Sequence, residues 1–173
     1  GLRVVVHNAG VAAPTRLRNK SLESFISTVQ TKVDGFIALV GALGDRRIDY
    51  LCNVGSVSGR LGGMVGQIDY AAANDFLCKL ASNLRRTRPQ TRALAIDWTA
   101  WGGIGMATRG SIPTIMAAAG ISMLPPESGI PTVRRELVAG GGSGEVVGAG
   151  TLGIMGAEFD ATGGLDVEKA QAE

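Results

Sequence analysis

Four short apolar runs limit what this chain can fold into more than any other feature. They are "LRVVVHNAG" (2–10), "IDYLCNVGS" (48–56), "RALAIDW" (92–98) and "GEVVGAG" (144–150). Runs of this length, rich in β-branched residues and closed by glycine or an aromatic, are the pattern of strands buried on both faces. Helical patterns separate them. Residues 21–44 carry Leu22, Phe25, Ile26, Val33, Phe36, Ile37 and Val40 at helical spacing, behind Ser21 as N-cap with Glu23 and Ser24 in the first turn. Residues 70–86 put Phe76, Leu77, Leu80 and Leu84 on one expected buried side, with Pro89 beyond the end. "GIPTVRRELVAG" (129–140) is a third helix. Strand and helix in alternation predict an α/β fold, a Rossmann-like doubly wound parallel sheet.

Such sheets bind ligands beyond the carboxyl ends of their strands. Here those ends are residues 8–11, 56–59 and 97–106. The long segment 99–127 is rich in Gly, Met and Pro and holds a short helical pattern at 112–119, so it is expected to be a lid over the site.

Composition removes several classes of function. The chain has 173 residues, 45% hydrophobic and 18% charged, enough for one domain with a sizeable core. Its formal net charge is +2 and only 5% of residues are aromatic. Arg85, Arg86 and Arg88 form the one basic cluster without an aromatic platform, which fits a solvated helix C-terminus and argues against nucleic-acid binding. His7 is the single histidine, so neither a zinc site nor a Ser-His-Asp triad has its material. Cys52 and Cys78 lie in apolar runs without CxxC spacing, as buried free thiols of a reducing compartment do. No apolar run reads as a membrane span, and a cytoplasmic protein is expected. The chain opens at Gly1 inside a strand-like run and is expected to be a piece of something longer.

The stretch "GAGTLG" (148–153) fits G-x-G-x-x-G but is a decoy. A dinucleotide fingerprint must open a helix inside a βαβ unit of ~30 residues, and the tail after it offers no second strand. "GGGSG" (140–144) reads as a helix stop and a turn. "DYAAAND" (69–75) is more informative. Tyr70 and Asn74 stand four apart in an alanine helix, on one face, just after a glycine-rich loop.

These pieces resemble the ketoreductase domains of modular polyketide synthases and of related polyunsaturated-fatty-acid synthases, in the short-chain dehydrogenase/reductase superfamily. "HNAGV" resembles their His-x-Ala-Gly-Val strand end, and "YAAANDFLCKLA" their Tyr-Ala-Ala-Ala-Asn helix. "IDWTAWGGIGMA" resembles their Asp-Trp-x-x-Trp-x-x-x-Gly-Met segment, and "GEVVGAG" their closing strand. The likeness covers residues 2–153 in order. It implies catalysis by Lys32, Ser56, Tyr70 and Asn74, with Asn74 where most of the superfamily has lysine and Lys32 supplied by the preceding helix. It also implies NADPH, touched by Asn8, Ala9, Gly10, Lys32, Tyr70, Trp98, Thr99 and Met106, and no metal. In this reading Tyr70 protonates the alkoxide left by hydride addition, and Ser56 holds the carbonyl oxygen. The Lys32 ammonium lowers the tyrosine's pKa, and Asn74 steadies the lysine or a relay water.

The resemblance implies family strands four to seven in residues 1–153 and a linker to a following domain in residues 154–173. The glycine turn for the pyrophosphate and the basic residues that select NADPH over NADH are expected in the upstream half of the same domain. The implied partners are a β-ketoacyl substrate on an acyl carrier protein and neighbouring synthase domains. Ser58 competes with Ser56 as the carbonyl serine. The spacings from Ser56 and from Lys32 to Tyr70 each exceed the family's by one, as one extra residue in the 59–67 loop would cause. Ala12-Ala13-Pro14 replaces a Leu-Asp-Asp motif and no tryptophan lies between 59 and 69, so the hand of the alcohol is unmarked. Two other readings stay open: a silent reductase-like structural segment, and a stand-alone short-chain dehydrogenase for small alcohols or ketones.

Overall fold

The computed structural model describes residues 1–139 and 142–156. Four strands, β1 (Val4–His7), β2 (Tyr50–Ser56), β3 (Arg92–Trp98) and β4 (Glu145–Gly148), form one sheet in that order. Every pairing is parallel, with Val5 opposite Leu51, Asn53 opposite Ala95, and Asp97 opposite Val147. All four strands therefore end at one edge.

Helices cover both faces. Alternate strand residues Val5, Leu51 and Ala93 meet Phe36 and Leu43 of α2 (Gly35–Leu43) and Leu77 and Leu84 of α4 (Ile68–Thr87). On the other face Cys52, Leu94, Ile96 and Trp98 pack with Val133 and Leu137 of α6 (Pro126–Val138). This is the doubly wound arrangement that the alternating runs predict. Two shorter helices, α3 (Ser58–Leu61) and α5 (Ile112–Ala118), lie in the connections.

The helix expected over 21–44 is interrupted. Ser21 caps α1 (Leu22–Val29) by accepting the Ser24 N–H, and a π-helical turn, Gln30–Asp34, joins α1 to α2. A π turn shifts the 3.6-residue register, so one sequence stripe cannot stay on one face. Val33 and Phe36 are buried, while Leu22, Ile26 and Ile37 face outward. The joined helix Leu22–Leu43 is long and apolar enough to cross a bilayer, by length and composition only, where the sequence reading expected no such run; it contributes Val33, Phe36 and Leu43 to the core. In α4 the helix opens two residues before Tyr70, and Phe76 is exposed rather than buried, because Ala73, Leu77, Ala81 and Leu84 form the inner stripe. Arg85 and Arg88 are more than solvated cations. They donate to the Ser143 and Gly44 carbonyls and tie the end of α4 to neighbouring loops.

Beyond Gly153, the Ile154 N–H still donates to the Ala119 carbonyl. The expected linker from residue 157 onward, and Gly140 and Gly141 of the expected helix stop, lie outside the described residues.

The cysteines are free and buried, as expected. Cys78 also has a partner the sequence does not announce: its thiol donates to both Asp97 oxygens, at 3.4 and 3.2 Å. The Asp97 carboxyl lies directly over Gly55, where a Cβ would collide with it. Glu145 joins this cluster and is itself engaged by Arg60 at 2.8 Å. Burial pushes the Asp97 pKa up to about 7, with the negative charge of Glu145 adding to it against the Cys78 hydrogen bond.

A carboxyl whose pKa rises from ~4 on folding favours the native state most at low pH and loses that contribution as pH rises through its folded value. Thermal unfolding of wild type against Asp97→Asn should show the variant gaining on wild type between pH 4 and pH 7. A constant difference across that window would mean that Asp97 does not titrate in the fold. The joint between α3 and α4 makes a second test. A Cβ on Gly59 would stand 2.6 Å from the Asp75 nitrogen and 2.9 Å from the Asn74 carbonyl carbon, both backbone atoms that cannot step aside. Gly59→Ala should therefore cost ~1–3 kcal/mol in urea unfolding, as overpacking does.

Candidate active site

The site lies beyond the carboxyl edge of the sheet, in a cavity of about 660 Å³. Strand ends, the π turn, the start of α4 and the 99–127 segment each contribute to its wall.

Lys32 comes from the π turn and is 3% exposed. Its side chain forms part of the cavity wall, where Nζ donates to the Val54 carbonyl at 3.2 Å. The ammonium faces the Tyr70 ring, 5.5 Å from its centroid. Gly10 gives it room, since a Cβ there would lie 3.2 Å from Cε and 3.4 Å from Nζ. Burial lowers the Lys32 pKa to about 8, and the negative charge of Asp97 limits the fall.

Tyr70 reaches the same cavity from the first turns of α4. Burial raises its pKa, and hydrogen-bonding groups on Asn74 and Ser56 only partly offset this. The expectation that Lys32 lowers the tyrosine pKa is thus not met in this state. The ammonium sits over the ring and spends a proton on the Val54 carbonyl, while desolvation of the phenol dominates.

Ser56 is the last residue of β2, and its Oγ accepts from the Ser58 N–H at 3.3 Å and the Ser58 hydroxyl at 2.9 Å. Both serines line the cavity, but Ser58 is 4% exposed and spends its proton on Ser56. Ser56 is the half-buried one of the pair, with its own proton free to turn toward the cavity. Asn74 is fully buried and does not line the cavity. Its Nδ2 donates to the Tyr70 carbonyl at 2.7 Å, and its Oδ1 has no hydrogen-bond partner among the described residues.

Of the other expected residues, Asn8, Gly10, Trp98, Thr99 and Met106 line the cavity, and Ala9 does not. Thr99 is 4% exposed, with Oγ1 unpartnered among the described residues. Trp98 and Trp101 meet edge to face at 4.9 Å. Each rests on a glycine: a Cβ on Gly148 would strike the Trp98 ring, and one on Gly129 the Trp101 ring. Gly148, the first glycine of the decoy motif, is therefore a packing residue.

The 99–127 segment is pinned at its base. The Gly102 N–H donates to the Leu124 carbonyl and the Leu124 N–H to the Ala100 carbonyl, at 2.9 and 2.7 Å. Between these anchors Ile104, Met106, Ile112 and Met116 lean over the cavity.

A feature that sequence reasoning missed sits beside Tyr70. Lys20 and Asp69 form an ion pair at 2.9 Å with side chains 1% and 2% exposed, and Lys20 also donates to the Ala13 carbonyl. Asp69 lies inside the quoted "DYAAAND", but its partner is 49 residues away and the sequence offers no spacing that joins them.

Comparison with known proteins bears on this geometry. The family described as "KR domain" matches residues 1–103. The mellein synthase of Phaeosphaeria nodorum is 38% identical over 104 residues, 60% of this chain. The 5-methyl-1-naphthoate synthase of Streptomyces sahachiroi is 32% identical over 117 residues, 68% of the chain. This chain spans 6% of the length of each. A solved ketoreductase from the first module of phoslactomycin biosynthesis in Streptomyces sp. HK803 superposes with a TM-score of 0.74 at 28% identity, over 85% of this chain and 33% of that one. With the family matched over more than half its residues and the same parallel sheet, the chain belongs to the KR domain family, the ketoreductase domains of polyketide synthases in the short-chain dehydrogenase/reductase superfamily.

Proposed function

We propose that residues 1–153 form the catalytic part of an NADPH-dependent ketoreductase. It reduces a β-ketoacyl chain carried on an acyl carrier protein to the β-hydroxyacyl form, inside a multidomain synthase. The observation that carries this reading is the convergence of the Lys32 ammonium, the Tyr70 phenol and the Ser56 hydroxyl on one cavity at the sheet's carboxyl edge.

The residues present fit the nicotinamide end of such a cofactor. Thr99 Oγ1, buried without a partner among the described residues, offers a hydrogen bond to a carboxamide, and the Trp98–Trp101 pair gives an apolar wall. Asn8 and Gly10 after the β1 end, with Lys32 and Met106, line the same cavity and would hold the adjoining part of the cofactor. When bound, NADPH supplies the hydride that the ketone carbon takes up.

The protein's part is to manage the oxygen. Ser56 donates to the carbonyl oxygen, and Tyr70 gives its phenolic proton as alkoxide charge develops there. The raised Tyr70 pKa keeps that proton in place at neutral pH. The phenolate left behind is a charge in a desolvated site, and the Lys32 ammonium is the cation placed to meet it. Asn74 acts at one remove, by holding the Tyr70 backbone from inside α4.

In the complete reductase, Tyr70→Phe should lower kcat for ketone reduction by ~10²–10⁴-fold, the range for a lost general acid, with NADPH affinity little changed. Retained turnover would remove Tyr70 from the mechanism. Lys32→Ala should lose rate and cofactor affinity together. Because the folded Lys32 pKa lies at about 8, reduction should decline as pH rises through that value and the ammonium is lost. A reduction rate flat from pH 7 to 10 would show that the charge on Lys32 is not used.

The lid is tested separately. Its glycines at 103, 105 and 110 adopt positive φ, at 73°, 80° and 56°, and leave that stretch free of side-chain restraint. Amide hydrogen exchange over residues 103–118 should be fast in the free protein and slow with NADPH and substrate bound. Equal, strong protection in both states would make the segment a fixed wall.

A further inference from the structure

His7 ends β1 and is 6% exposed, yet it has no place in the chemistry above. Its ring turns away from the cavity toward α2, tilted 57° against Phe36 with centroids 5.8 Å apart. Its Nε2 lies 2.9 Å from the Lys32 carbonyl oxygen. A carbonyl can only accept, so Nε2 must carry the hydrogen.

That carbonyl belongs to the π turn. There the Gly35 N–H is shared between the Gln30 and Lys32 carbonyls, and the regular helical bonding is broken. A π turn is a rare interruption of an α-helix, so something outside the helix must favour it here. His7 is a side chain on another element placed to do so. The two ends of Lys32 are then clamped from the two strands the helix packs against. The backbone is held by His7 of β1, and the ammonium by the Val54 carbonyl of β2.

We propose that His7 is a positioning residue for Lys32: its Nε2–H donates to the Lys32 carbonyl and fixes the π turn that directs the ammonium into the cavity. The role rests on the reading of Lys32 as the cation of the reduction. Burial holds the His7 pKa below its ordinary value, the Lys32 carbonyl pulls it back in part, and the Lys32 charge lowers it further. The ring is therefore neutral at physiological pH, with its one N–H committed to Lys32.

The test compares His7→Gln, whose amide N–H reaches about as far as Nε2, with His7→Leu, which fills the space without a donor. Both are made in the full-length protein, alone and with Lys32→Ala, and thermal midpoint, NADPH affinity by fluorescence quenching, kcat and KM are measured. His7→Gln should stay close to wild type in kcat and NADPH affinity. His7→Leu should fold, bind NADPH more weakly and lose up to ~100-fold in kcat, the scale of a small misplacement of a catalytic group. It should cost nothing further once Lys32 is alanine, because the two act as one unit.

A folded His7→Leu with wild-type kcat and affinity would overturn the proposal. So would a His7→Gln as impaired as His7→Leu, since then only the imidazole's shape matters. If His7→Leu does not fold, the ¹⁵N resonances of His7 in the wild-type protein decide. A ring with its hydrogen on Nε2 supports the role, and a neutral Nδ1–H ring with bare Nε2 overturns it. Wild-type turnover in Lys32→Ala would instead strike the reading of Lys32 itself, a result these His7 variants cannot imitate.

Discussion

A buried ammonium organises this domain. Taking a lysine head group out of water costs several kcal/mol unless hydrogen bonds and opposite charge repay it. The repayment for Lys32 comes from separate parts of the fold: the Val54 carbonyl on β2, the face of the Tyr70 ring on α4, and the carboxyl of Asp97 on β3. Each of these is where it is because four parallel strands end at a common edge and α4 returns across them. Gly10 is small because the lysine stem passes it. The helix gives up regular bonding at the residue that must turn inward. The arrangement around Lys32 is thus a solution to a solvation problem.

The sheet also separates two jobs between its faces. The side under α2 and α4 carries the polar burial, with His7, Asn53 and Asp97 alternating along the strands among small and apolar residues. The opposite side is apolar and ends in the Trp98–Trp101 pair, which holds the base of the 99–127 segment. Charge is tuned from one face and the apolar wall of the cavity is built from the other. A change on either face reaches the site by a different physical route.

The fold was largely legible because buried parallel strands leave an unambiguous run of apolar residues, and each of the four runs contains a strand whose ends lie within three residues of the run's own. The candidate constellation came from the family resemblance, while the doubly wound pattern told only where a ligand would sit; Ser56, Tyr70 and Lys32 line one cavity at those strand ends. Periodicity failed where its assumption failed. The helical pattern over 21–44 treats the segment as one helix, but the π turn interrupts it, and Leu22, Ile26 and Ile37 of that pattern are exposed. The large apolar residues of 70–86 put Phe76 on the buried side with Leu77, Leu80 and Leu84, but Ala73 and Ala81 share the inner face with Leu77 and Leu84, and Phe76 is exposed. The partnerships Lys20–Asp69, His7–Lys32 and Cys78–Asp97 left no trace in local spacing, because each joins residues that only the tertiary fold brings together.

The pair of Lys20 and Asp69 has a consequence for how sequences of this kind can drift. Removing one member of a buried ion pair strands the other charge, at a cost of roughly 3–5 kcal/mol, whereas exchanging both for apolar groups of similar volume is often neutral. Asp69 directly precedes Tyr70, so a stranded charge would fall on the turn that aims the phenol. Single replacements at either position should therefore be rare among functional relatives, and changes there should arrive together. Two positions that look unrelated in the chain would vary as one character, an inheritance set by desolvation and not by any contact with substrate.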